Sequence, residues 1–154
     1  MKVLELGCGA GRVTRALSTI FGEVHGIDVS PEMVRLARAA VPNAFIHQID
    51  GATLPTLAHL QFDFAYSCCV FQHIASYEVI QTLLCEVGRK LRPGALFKFE
   101  VQGCGSVISP PGDTWLGVPF SIEQATEMAQ ATGFELRFHA GAGEERFWLW
   151  YLKL

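Results

Sequence analysis

Residues 3–12 read Val3-Leu4-Glu5-Leu6-Gly7-Cys8-Gly9-Ala10-Gly11-Arg12: an apolar run holding one acidic residue, then glycine at three alternate positions. Few structures accept such a segment. The apolar run suits a strand buried on both faces, the glycines let the chain turn sharply and approach another group closely, and the helix that follows presents unpaired N–H groups at its start. Strand, glycine turn and helix in that order open a βαβ unit. A dinucleotide fingerprint would need its third glycine at position 12, where Arg12 stands, so a nicotinamide-dependent oxidoreductase is the weaker reading. A glycine turn with no ligand is the plain structural alternative.

The rest of the chain repeats the alternation. Short apolar runs predict strands at about 2–6, 23–27, 44–49, 62–67 and 95–101, with helices between them. The first helix starts at Gly11 or Arg12 and runs to about Ile20. The second has Ser30 as N-cap, Pro31 at its first position and Glu32 toward the positive end of its dipole, with Met33, Leu36, Ala37 and Ala40 as its apolar face. Residues 51–60 offer at most a turn or two. Ser76 caps a longer helix in which Val79, Ile80, Leu83, Leu84, Val87 and Leu91 keep helical spacing until Pro93-Gly94 stops it. Ser121 and Gln124 form a capping-box pattern for a late helix ending at Gly133. Two β runs, 134–139 and 146–154, then predict an antiparallel pair. The stretch 103–120, which holds Trp115, is the one long irregular loop. The expected fold is α/β: one domain over 1–154, a doubly wound, mostly parallel, Rossmann-like sheet with a C-terminal antiparallel β pair.

Composition narrows the function. Half of the 154 residues are apolar and 18% are charged, which argues for a packed core and against disorder. No apolar stretch is long enough to span a bilayer and no signal peptide opens the chain, so no membrane partner and a cytoplasmic setting are expected. Five cysteines form no Cys-x-x-Cys pair and the histidines fall singly, so neither a disulfide framework nor a zinc site is expected. A net charge of −3 without a Lys/Arg cluster weighs against nucleic acid. No motif specifies an oligomeric state.

Two acidic residues close predicted strands. Asp28 ends the second, where a carboxylate can accept both hydroxyls of a ribose or else help cap the next helix. Asp50, before Gly51, ends the third, where it can accept an adenine amine or simply form an Asp-Gly turn. With Phe62-Asp63-Phe64-Ala65-Tyr66-Ser67, Phe71-Gln72-His73-Ile74 and Leu91-Arg92-Pro93-Gly94 following in order, the chain resembles the class I S-adenosylmethionine-dependent methyltransferases, specifically their small-molecule members, from Val3 to about Gly133. The resemblance implies S-adenosyl-L-methionine as cofactor and a small-molecule acceptor. It implies that Gly7 and Gly9 lie under the methionine part and that Glu5 helps order it. Asp28 would hold the ribose, Val29 the adenine ring, and Asp50 with the Gly51 backbone the adenine edge. Ser67 and Cys68 would offer carbonyl oxygens to the methionine ammonium.

The sulfonium is already an activated methyl donor, so alignment and desolvation can carry much of the catalysis. A hydroxyl or amine acceptor would still call for a general base, for which His73 is the first candidate; its structural alternative is to hold the loop. The chain opens almost at the first strand, whereas this family generally has helices ahead of it. An exposed methionine end and slow turnover are therefore expected, with the acceptor recognised by 68–77 and 102–120 and with Gln102, Trp115 and Phe120 as one wall. A cofactor-binding domain that is non-catalytic or depends on a partner is the alternative function.

Overall fold

The computed structural model describes residues 1–51, 53–54, 57, 59–103 and 117–154. Strands β1 (Lys2–Leu6), β2 (Glu23–Asp28), β3 (Phe45–Gln48), β4 (Phe62–Ser67) and β5 (Leu91–Val101) pair in parallel. Two more, β6 (Phe134–Ala140) and β7 (Phe147–Lys153), complete one seven-stranded sheet in the order β3-β2-β1-β4-β5-β7-β6. β7 runs antiparallel to both of its neighbours. The chain winds outward from β1 in one direction to β3, then crosses back to β4. That reversal opens a crevice at the carboxyl ends of β1 and β4.

Among the described residues four α-helices cover the sheet: α1 (Arg12–Leu17), α2 (Pro31–Ala40), α3 (Tyr77–Lys90) and α4 (Ile122–Ala131). On one face Leu17 of α1 packs with Val3 and Val24, and Val34 and Ala37 of α2 pack with Cys8 and Ile46. On the other, Ile80, Leu84 and Val87 of α3 and Ala125 and Ala129 of α4 join Leu4, Ile27 and Phe97 in the main core. The sheet is thus doubly wound, with the antiparallel pair at its end. Among the described residues no helix is long and apolar enough to cross a membrane.

The caps follow the sequence. Ser30 Oγ accepts the Met33 N–H at 3.3 Å, Ser76 Oγ accepts that of Val79 at 3.3 Å, and Ser121 and Gln124 cap each other reciprocally. Three expectations are corrected. Val34, with Ala37, is the buried residue of α2, while Met33, Leu36 and Ala40 are only half-buried. Regular α1 ends at Leu17, and the chain reaches Phe21 through turn hydrogen bonds. β5 starts at Leu91 rather than near 95, because Leu91 already pairs with Phe62; the next pairs are Phe64 with Leu96. Pro93 and Gly94 fall in that bulge, where a missing N–H and a φ of 81° cost little.

One glycine of β2 leaves room for Cys8 of the glycine turn and for Ile46 of β3. A Cβ on Gly26 would lie 2.9 Å from the Cβ of Cys8 and 3.0 Å from Cδ1 of Ile46. Gly26→Ala is expected to lower unfolding free energy by about 1–3 kcal/mol, because the packed neighbours must give way. Urea denaturation checks this; a midpoint equal to that of the unsubstituted protein would show that the contact relaxes freely.

Candidate active site

The turn between β1 and α1 is folded by its own amides. Gly7, Gly9 and Gly11 all have positive φ, at 69°, 51° and 88°. The Gly7 and Cys8 N–H groups both donate to Ile27 O, at 2.9 and 3.0 Å, and Gly11 N–H donates to Cys8 O at 2.9 Å. Gly9 N–H donates to Asp28 Oδ2 at 2.9 Å, while Ser30 N–H donates to Oδ1 of the same carboxylate at 2.9 Å. These turn N–H groups are therefore engaged within the protein. Asp28 does brace the start of α2, and each of its oxygens keeps acceptor capacity for a ligand.

Beneath the turn sits Glu5, 3% exposed, which accepts a 2.6 Å hydrogen bond from Thr14 Oγ1. Burial raises its pKa from 4.5 to about 7; the Thr14 hydrogen bond and Arg12 pull it back, and Asp28 pushes it up. Burial likewise raises the Cys8 thiol to about 12, with smaller contributions from Glu5 and Asp28.

A cleft of about 280 Å³ opens at the switch point, and Gly7, Asp28, Val29, Gly51 and His73 are among the residues that line it. Leu6, Ile27, Ile49, Cys69, Val70 and Leu83 complete the lining. The three apolar strand-end residues could have been found as the neighbours of Gly7, Asp28 and Asp50. Val29 is 56% exposed, and its Cγ1 is 3.2 Å from where a Cβ on Gly51 would stand. A Cβ on Gly7 would lie only 2.1 Å from Val70 Cγ2, whereas one on Gly9 would meet nothing within 4 Å.

Glu5, Gly9, Asp50, Ser67 and Cys68 are not among the lining residues. Asp50 accepts the Thr53 N–H at 2.8 Å and its Oγ1 at 3.0 Å, as in an Asp-Gly turn. Ser67 is buried and donates to Leu6 O at 3.1 Å. The Cys68 thiol is raised to about 11, chiefly by burial, then by Cys69 and Glu100. His73 ends a single 3-10 turn, Phe71–His73, with Nε2 3.2 Å from Nε2 of Gln72. Gln102 and Phe120 are buried and joined by a 2.8 Å bond from Phe120 N–H to Gln102 O, and Trp115 lies outside the described residues.

Sheet order, reversed last strand and glycine turn together define the class I methyltransferase architecture. Residues 4–99 match the methyltransferase domain family, and the chain belongs to it. It is 32% identical over 106 residues to a malonyl-[acyl-carrier protein] O-methyltransferase of Enterobacter lignolyticus, covering 69% of this chain and 41% of that protein. It is 35% identical over 101 residues to a trans-aconitate 2-methyltransferase of an Azoarcus species, covering 64% and 38%. The chain thus spans about two-fifths of the length of these relatives. Among solved structures, CalS10 of Micromonospora echinaspora, an amino pentose methyltransferase with S-adenosylmethionine bound, superposes with a TM-score of 0.83 at 17% identity, covering 99% of this chain and 83% of that one.

The buried carboxyl makes stability depend on pH. Glu5 titrates near 4.5 when unfolded and near 7 when folded, so the unfolded chain alone releases this proton in between. Its contribution is full below pH 4.5 and is lost as pH rises to about 7, a change of about 3 kcal/mol at most. Glu5→Gln is expected to flatten the stability profile across that window, as read by urea denaturation at stepped pH. An unchanged slope would mean that Glu5 titrates normally.

Proposed function

We propose that this chain binds S-adenosyl-L-methionine in the cleft and transfers its methyl group to a small-molecule acceptor. The observation that carries the reading is a carboxylate, Asp28, held by two backbone N–H groups at the lip of a largely apolar cleft beside the glycine turn. Both hydroxyls of a ribose are donors of the kind its remaining lone pairs take. Val29 and Ile49 give the adenine ring an apolar bed, and the backbone at Gly51, with Asp50 beside it, faces the ring's edge. Gly7 and Gly9 underlie the methionine part, and the carbonyls of Ser67 and Cys68 receive its ammonium. Glu5 acts indirectly, by fixing α1 through Thr14.

When bound, the cofactor supplies an electrophilic methyl group on sulfonium. The chain aligns and desolvates it, and His73, on the cleft wall, is positioned to take a proton from a hydroxyl or amine acceptor. The named relatives support methyl transfer as the activity. The chain's net charge of −3, without a basic cluster, favours a small acceptor over a nucleic acid.

Calorimetry with S-adenosylhomocysteine tests the site. Asp28→Ala is expected to lose about 1–3 kcal/mol of affinity with the loss of charge-assisted bonds to ribose. Gly9→Ala, whose methyl would point into empty space, is expected to cost fold stability only about 1–2 kcal/mol at its positive φ yet to block the ligand. Wild-type affinity in both folded variants would place the ligand elsewhere.

A further inference from the structure

At the carboxyl ends of β4 and β5 the fold assembles three groups that sequence spacing keeps apart. Sγ of Cys68 is 3.6 Å from Sγ of Cys69 and 3.7 Å from Oε1 of Glu100. We propose that Cys68, Cys69 and Glu100 form a binding site for a thiophilic divalent cation, Zn²⁺, at the edge of the cleft. A tetrahedral zinc with Zn–S of about 2.3 Å and Zn–O of about 2.0 Å spaces two sulfurs about 3.8 Å apart and a sulfur and an oxygen about 3.5 Å apart. Two of the three edges already stand near those lengths, and all three atoms lie within 4.8 Å of one another.

Two independent features point to a ligand there. Adjacent side chains on a strand point to opposite faces, but Cys69 has φ 59°, the only positive value at a non-glycine residue among those described, and this brings its thiol beside that of Cys68. Backbone held in that region is a cost that a functional role can explain. Glu100 is a carboxylate whose side chain is fully buried. Its Oε1 accepts the Cys69 N–H at 2.6 Å, but Oε2 has no hydrogen-bond partner among the described residues. A buried carboxylate oxygen calls for a cation or a donor. What it has is the Arg146 guanidinium at 3.8 Å, on a side chain more than half exposed, whose other nitrogen is 3.7 Å from Cys69 Sγ. That long contact shows the charge the site calls for, and the half-exposed Arg146 side chain would turn outward to solvent as a metal replaces it. Three protein ligands leave a fourth position, as in zinc sites that keep an exchangeable place. Cys69 lines the cleft, so that position is next to the methyl donor's place.

The test reads metal rather than methyl transfer and so stands apart from the cofactor assignment. Protein kept reduced with a non-chelating phosphine is titrated with Zn²⁺ against a chromophoric chelator, and separately with Co²⁺. One Zn²⁺ per chain is expected, together with a cobalt spectrum carrying thiolate charge-transfer bands. Cys68→Ser combined with Cys69→Ser should abolish both signals, and Glu100→Gln should weaken Zn²⁺ by at least about tenfold. Cys85→Ser, on α3, should change neither. Melting curves of each variant without metal report folding. Reduced wild-type protein that takes up no Zn²⁺, a cobalt spectrum without thiolate bands, or uptake that survives the double substitution overturns the proposal.

Discussion

The carboxylate of Asp28 is the joint on which the crevice is built. By accepting the N–H of Gly9 on one oxygen and that of Ser30 on the other, it fastens the turn after β1 to the turn after β2. It adds to the bonds that each turn already makes, from Gly7 and Cys8 N–H to Ile27 O and from Met33 N–H to Ser30 Oγ. Charge-assisted hydrogen bonds of this sort are roughly twice as strong as neutral ones, and their geometry is fixed before any ligand arrives. A ligand hydroxyl then meets an acceptor that does not have to be reorganised.

The rest of the cleft inherits its rigidity from the cores on either side. Phe71 is fully buried, with its ring 5.0 Å from that of Phe99 and 5.9 Å from that of Phe97, and it is the first residue of the turn that carries His73. Packing therefore decides where an imidazole faces the cleft. On the opposite face Glu5 and Thr14 tie β1 to α1 by a buried hydrogen bond. The price of that tie is a carboxyl kept from water, which is why its titration moves to near neutrality.

Much of this was legible in the chain, and the failures have physical causes. Strand and helix order followed from periodicity, and Ser30, Ser76 and the Ser121-Gln124 pair marked helix starts because capping is local chemistry. β5 was read too short because Pro93-Gly94 is a local stop signal, whereas the pairing of Leu91 with Phe62 is a tertiary fact. Val34 was missed because spacing defines a stripe and the sheet chooses its centre. Asp28, Val29, Gly51 and His73 stand at the cleft because each lies at or after the carboxyl end of a parallel strand. Cys69 and Glu100 were not, because the left-handed turn and a contact across 31 residues leave no spacing to read.

The reversed direction of β7 sets where the β6–β7 turn lies. Val101, at the carboxyl end of β5, pairs with Phe147, at the start of β7, so the β6–β7 turn returns to the same rim as the first glycine turn. Gly103 N–H donates to Glu144 O there at 3.0 Å, and Arg146 reaches Glu100. The rim thus joins the earliest and latest parts of the described chain. The cleft is lined by residues between Leu6 and Leu83, so its walls precede β7 in the chain, whereas Arg146 reaches Cys69 across 77 residues. Contacts of such long sequence separation form slowly. Until β7 enters between β5 and β6, each of those strands keeps an unmatched edge on the side that β7 comes to fill.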